Sequence, residues 1–319
     1  MLNNIQLLID FPVFNLQLLL DGLMIGAIFA LAAYGLALVW GVMNVKNLAQ
    51  GEFVIMGGYI AYYLSIDAVV RIGIPGTDIT FFEVMKPGVN PLWALPVVIP
   101  IMFGFGWLMY FLIIRYVIDR DLFTSLLATF GAAIVIQQVL NLIFGPDVQT
   151  AESGLGTRIL FGSVTIQEIR VLSLIIAGIL AALVVLFMKN SRMGQAIRAT
   201  AQDPRAARVM GIDTDRVYAF TFSLNAAICG AAGVLISMIW VIQPFYGIAH
   251  SIRSFVIVVA AGLGNLPGVI VTAFGLGALE QYGGFALGAE FQQAVVVGLL
   301  IVVLVVRQIM QARHRQVVR

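Results

Sequence analysis

Apolar runs of about 20 residues follow one another along this chain, and the short stretches between them hold most of its charge. A run of that length matches the ~20 residues an α-helix needs to cross the hydrocarbon layer of a bilayer. Of 319 residues 61% are hydrophobic and 11% charged, and the mean hydropathy is +1.00, outside the range of soluble globular domains. The chain is therefore predicted to be an all-α polytopic membrane protein. Seven plain spans are expected, over residues 18–42, 53–70, 91–114, 122–144, 171–188, 217–242 and 291–306. Residues 252–285 are also apolar, but Gly262, Gly264, Pro267 and Gly268 interrupt them, so two short helices folded around that break are expected there. This makes about eight transmembrane helices within a membrane domain of residues 18–308. Residues 1–17 mix Leu, Ile and Phe with Asn, Asp and Gln and are read as interfacial; they lack the basic start and cleavage site of a signal peptide.

The longest polar segment, residues 189–216, sets the orientation. It carries six basic residues (Lys189, Arg192, Arg198, Arg205, Arg208, Arg216) against three acidic ones (Asp203, Asp213, Asp215), and short loops with such an excess stay in the cytoplasm. Arg307, Arg313, Arg315 and Arg319 follow the last span with no acidic residue after Glu290, so residues 309–319 are read as a basic cytoplasmic tail. Parity then puts the N-terminus outside. Within the loop Asp203 is a good N-cap, Pro204 suits the first helical position and Gly211 can close a helix, which predicts a two-turn helix from Pro204 to Met210. Such an element is either a docking site between membrane spans or a solvated linker. Residues 71–90 and 145–170 show no basic excess and are read as external loops, serving a solute-delivery protein or simply connecting spans.

The first span is studded with Gly22, Gly26, Ala30, Ala33 and Gly35, which let helix backbones approach closely and predict a central helix. After it, NVKNLAQGE at residues 44–52 breaks the apolar run. Two topologies fit: a short cytoplasmic turn, or a non-helical break inside the membrane, tolerated only where protein or a water-filled path surrounds it. Transporters use broken helices of the second kind at substrate paths. An ionised Glu52 at the membrane centre costs ~2.5–3.5 kcal/mol on insertion scales, so it must be interfacial, paired or path-lining. The break at 262–268 echoes the first: Asn47-Leu48 precedes Gly51, and Asn265-Leu266 precedes Gly268. Asn44, Asn47, Gln50, Glu52 and Asn265 are therefore the candidates for a solute path.

Catalytic signatures are missing. There is no G-x-x-x-x-G-K-[ST] to cradle ATP phosphates, no H-E-x-x-H and no G-x-S-x-G, and His250 and His314 stand apart. One cysteine, Cys229, allows neither an internal disulfide nor a cysteine metal cluster, so no metal site is expected. A net charge of +2 does not argue for nucleic acid. The chain is not read as an enzyme. An ion-coupled secondary transporter needs buried ionisable groups, of which Glu52, Arg253 and Glu280 are the few on offer, and a passive channel needs a filter that is not evident.

Three motifs carry a family resemblance: Gly194-x-x-x-Arg198-Ala199 with Asp203, Ala206-Ala207 and Gly211-Ile212; GVMNVKNLAQGEFVIMGGY at residues 41–59; and AGLGNLPGVIVTAFGLGALE at residues 261–280. Together they resemble the permease subunits of branched-chain amino acid ABC importers over nearly the whole chain. The family's first motif is close to N-x-A-H-G-E, and Gln50 stands where His is common. The resemblance implies a bacterial inner-membrane permease, with residues 189–216 as its coupling loop and Arg198, Asp203, Arg205 and Gly211 in coupling. It implies a second, related permease in a heterodimer, two ABC ATPase subunits that use ATP, and a periplasmic substrate-binding protein, with no cofactor bound by this chain. The solutes implied are branched-chain or related amino acids, with urea or short amides as the alternative.

Overall fold

In the computed structural model the described residues are 12–73, 80–86, 88–118, 120–160, 164–262 and 264–317. Residues 1–11 of the interfacial segment, Leu263 of the second break and residues 318–319 of the tail lie outside them. The helices are α1 (Pro12–Met43), α2 (Gln50–Ser65), α3 (Leu95–Leu112), α4 (Leu122–Phe144), α5 (Glu168–Asn190), α6 (Arg192–Gln202), α7 (Pro204–Val209), α8 (Thr214–Ile239), α9 (Gly247–Ala261), α10 (Leu266–Leu287) and α11 (Gln292–Val317). Among the described residues seven helical segments are long and apolar enough to cross a membrane, which makes the chain an all-α polytopic membrane protein. They are Val13–Met43, Pro91–Tyr116, Phe123–Phe144, Glu168–Asn190, Thr214–Ile239, Pro244–Ala261 and Ala289–Val306. Helix α2, with 16 residues, is about 24 Å long and cannot cross alone.

The second expected span, residues 53–70, ends early. Helix α2 stops at Ser65, and Ala68–Gly73 becomes strand β1, paired antiparallel with β2 (Thr80–Lys86). AVVRIG and TFFEVMK are rich in the β-branched and aromatic residues that suit a pleated ribbon. A second hairpin joins β3 (Thr157–Leu160) to β4 (Val164–Gln167). Both lie in the loops read as external, at the end of the bundle opposite α6 and α7. They are tied together there: Asn90 Nδ2 donates to Ser153 O at 3.1 Å, and Gln149 forms a bridge with Ile242 beyond α8.

Helix α1 is the axis of the bundle, with 94% of its most apolar stretch buried, followed by α8 at 83%; α5 and α11 have 22% and 6% and lie outside. The expected small residues bring this about. Gly22 and Gly26 of α1 lie against the backbone of Gly277, Ala278, Ala273 and Phe274, so α1 and α10 pack antiparallel at close range. Helices α2 and α8 run parallel and touch through Gly57 against Gly230 and Gly233 against Val54 O. At the periphery Asp121 caps α4, accepting from Thr124 Oγ1 at 2.5 Å and Thr124 N at 3.3 Å, and those bonds hold its carboxyl below the usual carboxylate range.

A side chain at Gly233 would have to displace the backbone carbonyl of Val54, which a packed helix pair cannot yield. Gly233→Val is expected to destabilise the protein by about 3 kcal/mol, the upper end of over-packing costs, whereas Gly104→Val, with nothing within 4 Å, is expected to be tolerated. Thermal unfolding of the two purified variants in detergent checks this.

Candidate functional site

The chain leaves α1 through Asn44, whose φ of 52° is left-handed, a conformation Asn tolerates better than most residues. It then runs back along the bundle rather than around its end. Thr129 of α4 pins this return: its Oγ1 accepts from Leu48 N at 3.2 Å and lies 3.1 Å from Lys46 O. Asn47 Oδ1 accepts from Ala49 N at 3.1 Å, and α2 starts at Gln50.

Gln50 is fully buried and joins three helices. Its Nε2 donates to Ala32 O of α1 at 2.8 Å and to Asn225 Oδ1 of α8 at 2.9 Å, while its Oε1 accepts from Asn225 Nδ2 at 3.0 Å. Ala32 lies about 16 Å, roughly three turns, back from the end of α1, and Asn225 is near the middle of α8. Of the two topologies open for residues 44–52, the structure has the deep one: α2 begins halfway along its neighbours.

Helix α9 begins at the same depth, after a return from a longer helix that ends in the 3-10 turn Pro244–Tyr246, and its start meets that of α2. Gly51 N donates to Ser251 Oγ at 2.8 Å, and Ser251 Oγ lies 2.7 Å from Leu48 O. Glu52 is 1% exposed and neither carboxylate oxygen has a hydrogen-bond partner. The carboxylate lies on Gly247, the first residue of α9, in the space a Cβ there would fill. The first N–H groups of a helix are unsatisfied and carry partial positive charge. The starts of α2 and α9 thus meet at Glu52, which packs on Gly247 without accepting a hydrogen bond from either helix.

Asn47, Gln50 and Glu52 thus come together, whereas Asn44 is exposed at the end of α1 and Asn265 is exposed at the α9–α10 turn. Asn265 caps α10 there, accepting from Gly268 N at 3.1 Å and donating to Ala261 O at 3.2 Å after Gly262 turns the chain at φ 94°. Asn225, Ser251, Thr129 and Gly247 were not foreseen as parts of the junction; a polar Asn in the middle of an otherwise apolar span was the available signal. The other ionisable groups noted, Arg253 and Glu280, pair with each other: Arg253 Nη2 lies 2.5 Å and Nε 3.0 Å from Glu280 Oε1, with the guanidinium over the rings of Phe29 and Trp240.

In the polar loop, α7 spans Pro204–Val209, one residue shorter than expected, and Asp203 caps it through Arg205 N at 2.8 Å and Ala206 N at 3.1 Å. Gly211 takes φ 84° to close it. The preceding helix α6 was not foreseen. It is an amphipathic 11-residue helix capped by Ser191, with Gly194, Ile197 and Thr200 buried, and Arg198 Nη1 donates to Met188 O to fix the elbow with α5. Arg205 is exposed, and Val209 and Met210 at the tip are 87% and 81% exposed.

The chain is thus a polytopic helical membrane protein with two helices starting inside the bundle and a capped helical loop at one end. The family described as branched-chain amino acid transport system, permease component, matches residues 18–304, and the chain belongs to it. It is 30% identical over 298 residues to the high-affinity branched-chain amino acid transport system permease protein LivH of Salmonella typhimurium, covering 91% of this chain and 93% of that one. Identity to the corresponding permease BraD of Pseudomonas aeruginosa is 28%, covering 92% and 94%. The probable branched-chain amino acid transport permease LivH of Methanocaldococcus jannaschii is 25% identical, covering 86% and 83%. Among solved structures, PsaBC from Streptococcus pneumoniae in complex with Fab is similar with a TM-score of 0.46 at 12% identity, over 95% of each chain.

Gln50→Leu leaves the Asn225 amide without its reciprocal partner in the bundle centre, a loss of about 1–3 kcal/mol. Adding Asn225→Leu removes the orphaned amide, so the double variant is expected to be less destabilised than the sum of the singles. A double-mutant cycle by denaturant unfolding in detergent measures the coupling.

Proposed function

We propose that the chain is the membrane-spanning permease subunit of an ATP-driven ABC importer for branched-chain or related amino acids in a bacterial inner membrane. Two ATPase subunits, a second, related permease and a periplasmic binding protein complete it. The observation that carries this reading is the tip of α7, where Val209 and Met210 expose apolar surface away from the spans that lipid covers. Such a tip on a capped helix suits a partner's groove. In this reading Asp203 and Gly211 shape α7, Arg198 ties the α6–α7 unit to α5, and Arg205 is free for a partner's acidic side chain. A push on the loop is then delivered to the long span α5 and, through Arg208 Nε and Thr214 Oγ1 at 2.7 Å, to the start of α8.

The two helix starts at Gln50 and Gly247 are the elements this reading moves. Asn47 and Gln50 hold the start of α2 against α1 and α8 beside the solute path and Glu52 lies on the start of α9, while Asn44 shapes the turn that leads to α2 and Asn265 the turn from α9 to α10. The face bearing α6 and α7 is cytoplasmic in this scheme, and the hairpins face the binding protein.

Co-purification from the native host tests the assembly: an ATPase pair and a second permease are expected, and a chain that isolates alone and transports on an ion gradient without ATP defeats the reading. For coupling, Asp203→Ala combined with Gly211→Val is expected to leave membrane insertion intact and lower uptake at least tenfold while the complex still hydrolyses ATP. Wild-type uptake by that variant removes α7 from coupling.

A further inference from the structure

We propose that the cavity on the outer face of α9 is a binding site for a zwitterionic amino acid, with Arg253 taking its carboxylate. This deepens the transport reading above and rests on it. The cavity has a volume of about 370 Å³, within the ~300–1,000 Å³ of small-molecule sites. Trp240, Tyr246, His250, Arg253, Gln292 and Gln293 line it. The cavities between α3, α4 and α5 and their neighbours are walled by apolar side chains, as expected where lipid tails or helix packing are the only company.

Charge decides the ligand class. Arg253 is held from behind by Glu280, which at 2% side-chain exposure is out of reach, while Arg253 at 12% borders the cavity. A guanidinium has five N–H donors in a planar fork, and Glu280 occupies only its Nε and Nη2 side. The remaining donors suit a carboxylate. No acidic side chain borders the cavity, so a metal cation or a polyamine finds no counter-charge. One guanidinium already neutralised by Glu280 is also a poor match for a phosphate dianion. A zwitterion brings no net charge to a site whose ion pair has none. Its ammonium group can meet the face of Tyr246, since Trp240 is taken by Arg253 and Phe29, and the Gln292 and Gln293 amides can serve either end.

The position links this site to the helix-start junction. Helix α9 turns Gly247 and Ser251 toward Glu52 and Gly51, and Ala249 and Arg253 toward the cavity. A solute held by Arg253 is therefore one helix away from the point where α2 and α9 meet. Movement of α9 that frees Glu52 from Gly247 would also reshape the cavity, a geometry suited to releasing what it holds.

Cys229 is the chain's one cysteine and is 0% exposed, so an added surface cysteine can be labelled alone. In the complete transporter, Gln293→Cys is to be reacted with a charged methanethiosulfonate with and without millimolar leucine, with Val148→Cys, exposed on the loop before β3, as the reference. Leucine is expected to slow labelling of Gln293→Cys at least threefold and leave Val148→Cys unchanged, with urea giving no protection. Labelling indifferent to leucine, in a preparation whose wild type takes leucine up, overturns the site. Labelling already blocked in the assembled complex and restored when the second permease is removed also overturns it, because the partner then fills the cavity. Ala249→Trp, which fills the cavity from its wall, is expected to lower uptake at least tenfold with normal membrane insertion; wild-type uptake by that variant counts against the site. If the wild-type complex shows no ATP-dependent leucine uptake at all, the transport reading fails first, a result distinct from these.

Discussion

Starting a helix in the middle of an apolar bundle leaves its first N–H groups where water cannot satisfy them, and the centre of this protein is arranged around that cost. Helices α2 and α9 both start there, and their starts are joined. Ser251 of α9 serves Gly51 N and reaches Leu48 O, and Glu52 of α2 lies on the first residue of α9. Gln50 fastens the same point to the long helices α1 and α8. The two short helices are thus interdependent. Neither could be withdrawn without stranding polar groups of the other, each worth about 1–3 kcal/mol when buried and unpaired.

Around that centre, burial does not follow hydrophobicity. Helix α5 is the most apolar of the seven spans yet among the least buried, while α1 and α8, less apolar, are enclosed almost entirely. Lipid tails are as apolar as Leu, so nothing drives a greasy helix inward; what brings helices together is close backbone approach and hydrogen bonding. Gly22, Gly26, Gly57 and Gly233 supply the first, and Gln50, Asn225 and Ser251 the second. The chain places small and polar residues at the points where its central helices touch, among large buried side chains such as Phe53 and Phe222.

That inversion explains what could be read beforehand. Long apolar runs announced the spans α1, α3, α4, α5, α8 and α11 closely, and the small residues of α1 announced its central place. The cap chemistry of Asp203, Pro204 and Gly211 located α7 to within a residue. The depth of the break at residues 44–52 was beyond reach, because depth is set by contacts with Thr129, Asn225 and Ser251, at separations of about 80 to 200 residues. Residues 66–70 read as the end of an apolar span because Val and Ile serve a strand as well as a membrane helix, and only the pairing with β2 separates the two. Asn265 resembled Asn47 in its neighbours, yet a turn at the surface and a turn in the interior use the same Asn and Gly chemistry.

Gln50 shows why the junction tolerates a departure from the motif in which His is common. A neutral imidazole has one donor and one acceptor, whereas the amide has two donors and a carbonyl that accepts twice. All four are engaged: Nε2 with Ala32 O and Asn225 Oδ1, and Oε1 with Asn225 Nδ2 at 3.0 Å and Asn47 Nδ2 at 3.4 Å. An imidazole could match the two donor contacts only by becoming charged, at a place where charge is costly. The amide keeps the hub neutral at every pH. Arg253 and Glu280 neutralise each other on the other face of α9, so among the described residues of the junction Glu52 is the one acidic group, opposed only by the partial charges of two helix starts. Those partial charges act only within the first turn of each helix. Separating α2 from α9 would break the bonds of Ser251 to Gly51 N and Leu48 O and uncover the buried Glu52, so the contacts that close the junction are also those that hold the two short helices together.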